Sequence, residues 1–138
     1  MKTSVTSNQN TLRHSFEEFQ LQIDKWVSEL DFVSEEISFF KKVVNNYIKT
    51  KDTDLKEKVD HVKNEIKAVE QKQHQLKAHV FQYREVVERK EMSKPELSDE
   101  KALDDNLLEL HSEFHELNRD IRALKEDLFS ITEDIYGN

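Results

Sequence analysis

The chain has 138 residues, 36% of them apolar and 36% charged, with one glycine, one proline and no cysteine. That length suits one domain with a real core, and so few turn formers exclude a sheet fold with tight hairpins and match long helices. A formal net charge of -8 lacks the basic face that general nucleic-acid binding needs, and the absence of cysteine excludes disulfides, thiolate metal sites and cysteine nucleophiles.

Residues 1–9 are polar and aperiodic, which predicts a mobile tail ahead of a single domain over residues 10–138. They lack the apolar core of a signal peptide, and no apolar run approaches the roughly 20 residues that span a bilayer. The expectation is a cytoplasmic protein without membrane insertion.

The first helix is predicted over about residues 9–49. Its apolar residues fall at alternating spacings of four and three: Leu12, Phe16, Phe19, Ile23, Trp26, Leu30, Val33, Ile37, Phe40, Val44 and Tyr47. Such a heptad seam keeps one stripe facing a partner along the whole helix. After Thr50-Lys51-Asp52-Thr53, a second helix is expected over about 54–92, capped by Thr53 or Asp54 with Glu57 behind it. Its seam runs Leu55, Val59, Val62, Ile66, Val69, Gln73, Leu76, Val80, Tyr83 and Val87. Pro95 is costly inside a helix and suits a first turn, so the next break belongs there. The third helix, about 95–136, carries Leu103, Leu107, Leu110, Phe114, Leu117, Ile121, Leu124, Leu128, Ile131 and Ile135, with Gly137 closing it.

Folding the chain back at two short turns aligns the three seams in successive layers, such as Phe19 with Tyr83 and Leu107, or Leu30 with Gln73 and Leu117. The fold expected is all-α: an up-down-up antiparallel three-helix bundle of coiled-coil type, with long helices. In outline it resembles spectrin-type repeats, which also have an aromatic-rich first helix, here Phe16, Phe19 and Trp26; the likeness is one of architecture. Gln73 is the one polar seam member. Its amide is either partly exposed, snorkelling to solvent or bonding a backbone carbonyl, or it fixes register by penalising slipped pairings.

Catalysis finds no foothold. The chain has no glycine-rich phosphate loop and no nucleophile beside a base, and the adjacent acids Glu17-Glu18, Glu35-Glu36 and Asp104-Asp105 point in different directions on a helix. The sequence therefore predicts a non-catalytic protein without a cofactor, whose partner is another protein or a second copy of itself. Two surfaces are candidates for that contact. Phe32, Phe39 and Val43 share a flank of the first helix, level with Phe129 of the third, as an apolar patch outside the seam. Glu109, Glu113, Glu116, Asp120, Asp127 and Asp134 form an acidic ridge on the third helix, which from Glu96 to Asp134 holds thirteen acidic and four basic residues. Intramolecular pairing competes for that ridge. One handedness of the bundle sets Lys72 near Asp120 and His79 near Glu113, with Glu65 facing Asp127; the other pairs Lys41 with Asp127 and Glu70 with Lys125.

A metal- or pH-responsive bundle is the alternative function. His74, His111 and His115 gather in one band and would converge on the surface as a weak zinc site, with solvated histidines the plainer reading. Binding to a lipid or polymer surface is a further alternative, opposed by the acidic third helix.

Overall fold

A computed structural model describes the backbone from Lys2 to Tyr136 and the side chains from residue 10 to residue 133. Three helices, α1 (Lys2–Asn45), α2 (Thr53–Met92) and α3 (Leu97–Tyr136), make an all-α three-helix bundle in which α1 packs on α2 and α2 on α3. The helical backbone of α1 begins ahead of residue 9, where the sequence led us to place its start. Side chains of the expected tail, of Asp134 and of Ile135, and Gly137 itself, lie outside the described residues.

Each turn has its own stop and start chemistry. α1 ends at Asn45, short of the expected residue 49, because the Asn46 and Tyr47 amides bond the carbonyls of Val43 and Val44, three residues back, and wind the chain out of the α-helix. Asp52, rather than Thr53 or Asp54, caps α2: its Oδ1 accepts from the amides of Asp54 (3.0 Å) and Leu55 (3.3 Å), two donors that lack helical partners. Beyond α2, Lys94 sits in the left-handed region at φ 59°, a position that ends helices and ordinarily favours glycine. Glu96 caps α3, so Pro95 stands just before the cap. The Asp99 carboxylate reaches back to the Glu96 amide at 3.0 Å, half of a capping box. That bond, and then Lys90 at 3.3 Å, hold Asp99 below the usual carboxylate range.

The chain divides into two compact units, each using a stretch of all three helices. The first comprises Met1–Glu29 and Leu76–Glu113. Its core is aromatic on the α1 side: Phe16, Phe19, Ile23 and Trp26 are buried with Leu76, Val80, Tyr83 and Val87 of α2 and Leu103 and Leu110 of α3. The rings meet edge to face or tilted, Phe16–Phe19 at 5.5 Å, Phe19–Tyr83 at 6.4 Å and Trp26–Tyr83 at 6.5 Å, arrangements that add about 0.5–1.5 kcal/mol each beyond area burial. The Tyr83 hydroxyl donates to the Leu103 carbonyl (3.2 Å), which satisfies it inside the core. Burial, and secondarily the Asp104 charge, push its ionisation well above the usual range. Leu107, a seam residue, is only half-buried.

The second unit comprises Leu30–Gln75 and Phe114–Asn138. Here the core is mostly aliphatic: Leu30, Val33, Ile37 and Val44, then Val59, Val62, Ile66 and Val69, then Leu117, Ile121, Leu124, Leu128 and Ile131, with Phe40 and Phe114 the buried rings. Full burial of such side chains stabilises by about 1.5–3 kcal/mol each before entropy is subtracted. Gln73 is 2% exposed among them. Its Nε2 donates to the Leu30 carbonyl (3.2 Å) and to Ser34 Oγ (2.7 Å), so the amide is buried rather than partly exposed as expected, and it bonds backbone at the layer where the seam alignment puts it.

Candidate functional site

The four residues of the expected apolar patch come together in the second unit. Phe32, Phe39 and Val43 of α1 and Phe129 of α3 line one open groove of about 510 Å³, floored by Phe40 and Leu128. The helical pitch explains the placement: Phe32 and Phe39 are seven residues apart, two turns along one flank. They are 60% exposed each and Phe129 is 64% exposed, while Val43 is half-buried. Phe39 leans on the buried Phe40 at 6.3 Å between ring centres. One polar edge interrupts the carbon lining, where Lys125 Nζ lies 2.6 Å from Glu36 Oε2, with Glu35 beside it. Lys125 thus pairs with Glu36 rather than with Glu70, the partner that one handedness of the bundle would give it, and Glu70 takes Lys41. Chemically the groove offers dispersion contacts and one charged edge, the makings of a binding surface for an apolar side chain.

Much of the acidic ridge is occupied within the chain. Lys72 binds both Asp120 and Glu116, the latter at 3.3 Å, and its ammonium pKa is raised, first by the Asp120 bond. His79 meets Glu113 at 3.0 Å. Of the two pairing schemes the sequence left open, each unit adopts the first. Glu109 stays exposed beside His79 and Glu113 in a smaller, more polar cleft of the first unit. These exposed pairs contribute about 0–1 kcal/mol each and serve pairing more than stability.

The histidines do not sort as the band suggested. His111 packs its ring edge against Trp26, 5.0 Å between centres, and His74 and His115 are exposed. Among the described residues, the histidine and carboxylate groups that converge to ligand spacing are His61, Glu65 and Asp127. The first two are one helical turn apart on α2, and Asp127 reaches them from α3 in the same unit. His61 Nε2 lies 3.1 Å from Glu65 Oε1 and 3.5 Å from Asp127 Oδ2. Burial first, then the facing Asp127 carboxylate, push the Glu65 carboxyl up to about 7. Both ingredients stood in the sequence, as the His61/Glu65 spacing and the opposition of Glu65 to Asp127, but they join only once the handedness of packing is known.

In the first unit, Glu18 and Asp104 border a small cleft beside Leu21 and Leu107. Desolvation, then Glu100, Asp105 and Glu18, raise the Asp104 carboxyl. No described helix is long and apolar enough to cross a membrane. Comparison with family models, curated proteins and solved structures finds no match to this chain.

Proposed function

We propose that the chain is a non-catalytic interaction module of the cytoplasm, and that the phenylalanine groove of its second unit receives an apolar, basic-flanked helix of another protein. One observation carries the reading: three phenylalanines of one groove stand 60% or more exposed beside a core already filled with aliphatic residues. Large exposed rings gathered in a concave strip favour a helix that lays two or three apolar side chains into it, spaced by three, four or seven residues. Charge selects the partner. The groove carries the carboxylates Glu35 and Glu36 on its α1 edge in a chain of net charge -8, so basic flanks complement it and acidic flanks are repelled. The same argument disfavours a second copy, since two chains of net charge -8 repel each other.

The test is fluorescence anisotropy with labelled designed helical peptides of about 15 residues, identical on the apolar face and flanked by either Lys/Arg or Asp/Glu. Basic-flanked peptide binds in the micromolar range, and Phe39→Glu or Phe129→Glu weakens it about tenfold or more, equivalent to about 1.4 kcal/mol. Leu21→Glu, on the first unit, leaves binding unchanged. Binding that ignores the groove variants, or no binding of either peptide, overturns the reading. Light scattering that shows a dimer abolished by Phe39→Glu would assign the groove to a second copy instead.

A further inference from the structure

We infer that His61, Glu65 and Asp127 form a divalent-cation site of tetrahedral, zinc-preferring character on the second unit, separate from the groove. The three donor atoms all lie within 4.8 Å of one another. Two of the three edges are 3.1 Å and 3.5 Å. Metal–nitrogen and metal–oxygen bonds of about 2.0–2.2 Å in a tetrahedron require donors about 3.3–3.6 Å apart, so two edges are near the required length and side-chain rotation closes the third, which is at most 4.8 Å. A calcium or magnesium site would call for more oxygen ligands and no imidazole. One nitrogen and two carboxylates suit zinc and leave its fourth position to water; the two carboxylates balance the charge of the ion.

A second observation points the same way. Glu65 Oε1 is buried and has no hydrogen-bond partner among the described residues, with His61 Nε2 3.1 Å away as its ion-pair neighbour. An orphaned carboxylate oxygen is costly, and a cation at the centre of the three donors satisfies it while removing the repulsion from Asp127. The imidazole side is 68% exposed, which leaves an entry path for the ion. Two ligands sit one turn apart on α2 and the third on α3, so the backbone presents them before any ion arrives.

Isothermal calorimetry and equilibrium dialysis of the EDTA-treated full chain against zinc alone test the inference. One zinc binds per chain, and His61→Ala and Asp127→Asn, both at the accessible edge of the site, each weaken it about tenfold or more. The His74→Ala/His111→Ala/His115→Ala triple variant retains it. Cobalt gives the intense visible absorption of a tetrahedral centre, which His61→Ala abolishes. An absence of binding, affinity unchanged in the His61 and Asp127 variants, or loss confined to the triple variant would each overturn the assignment. Circular dichroism at matched concentration separates a lost ligand from a lost fold.

Discussion

In the first unit the rings of Phe16, Phe19, Trp26 and Tyr83 are buried, and the off-seam Phe81 lies beneath Arg84 and Lys77, 4.7 Å and 5.9 Å from its centre. In the second, Phe32, Phe39 and Phe129 stand in solvent around a mostly aliphatic core. Cation–π contacts of this kind contribute about 0.5–1 kcal/mol, and flanking stems cover apolar surface that would otherwise be wet. The contrast separates two uses of phenylalanine in one chain. Where a ring lies off the seam of the first unit, charged neighbours shield it; where rings lie off the seam of the second, they line an open groove. A core shortage does not explain the exposure, because the seam of the second unit is filled without them.

The largest expected effect tests that contrast directly. Trp26→Ala opens a cavity in the first unit and lowers stability by about 3–5 kcal/mol, whereas Phe39→Ala changes it by no more than about 0.5 kcal/mol. Urea unfolding followed by circular dichroism reads both. A loss above about 2 kcal/mol at Phe39 would mean that the groove rings hold the second unit together, and the division between folding rings and binding rings would disappear.

One carboxylate of each unit, Asp99 in the first and Glu65 in the second, shifts in the opposite direction, which gives a smaller, pH-dependent effect. In the first unit a backbone amide and Lys90 depress Asp99, so its contribution is present at neutral pH and is lost on acidification through its lowered pKa. In the second unit Glu65 is raised from 4.5 to about 7. The native state favours the protonated carboxyl, so the contribution of Glu65 is fully present below about pH 4.5 and is lost as pH climbs to about 7. With solvent access reducing the effect, the loss is about 1–2 kcal/mol. In metal-free buffer, Glu65→Gln therefore stabilises more at pH 7 than at pH 4.5, with His61 and Asp127 facing the residue in both proteins. Equal shifts at the two pH values would show that Glu65 does not carry the charge conflict.

The seam was legible because a heptad repeat is local and its burial is imposed residue by residue; Phe19 against Tyr83 and Gln73 against Leu30 follow from it. The shared flank of Phe32, Phe39, Val43 and Phe129 was legible for the same reason. Whether neighbours would fill that flank or leave it open was not, since this depends on how α1 and α3 pack, and the structure leaves a groove. Caps were hard to place because Thr50, Asp52, Thr53 and Asp54 offer competing acceptors within one turn, and backbone geometry selects Asp52. The convergence of His61, Glu65 and Asp127 needs two helices in one handedness, which charge patterning proposed in two versions without choosing.

The smallest effects come from the one buried polar side chain that each unit ties to a backbone carbonyl. Tyr83→Phe removes a donor to Leu103 and keeps the ring, so the first unit loses about 0.5–1.5 kcal/mol. Gln73→Leu has a different balance. Ser34 is exposed and can turn to water, and the Leu30 carbonyl keeps its place in the α1 hydrogen-bond ladder, so the substitution strands no buried group. An aliphatic residue then completes an aliphatic layer, and the melting temperature rises by a few degrees, equivalent to about 1 kcal/mol. What the amide contributes instead is discrimination: its two bonds form only when α2 stands in this register against α1, and leucine tolerates slipped pairings and additional strands. Light scattering of Gln73→Leu should therefore reveal assemblies larger than the parent, while Tyr83→Phe keeps the parent's size. If the leucine variant is more stable yet unchanged in size, Gln73 is a satisfied amide and register rests on the apolar layers alone.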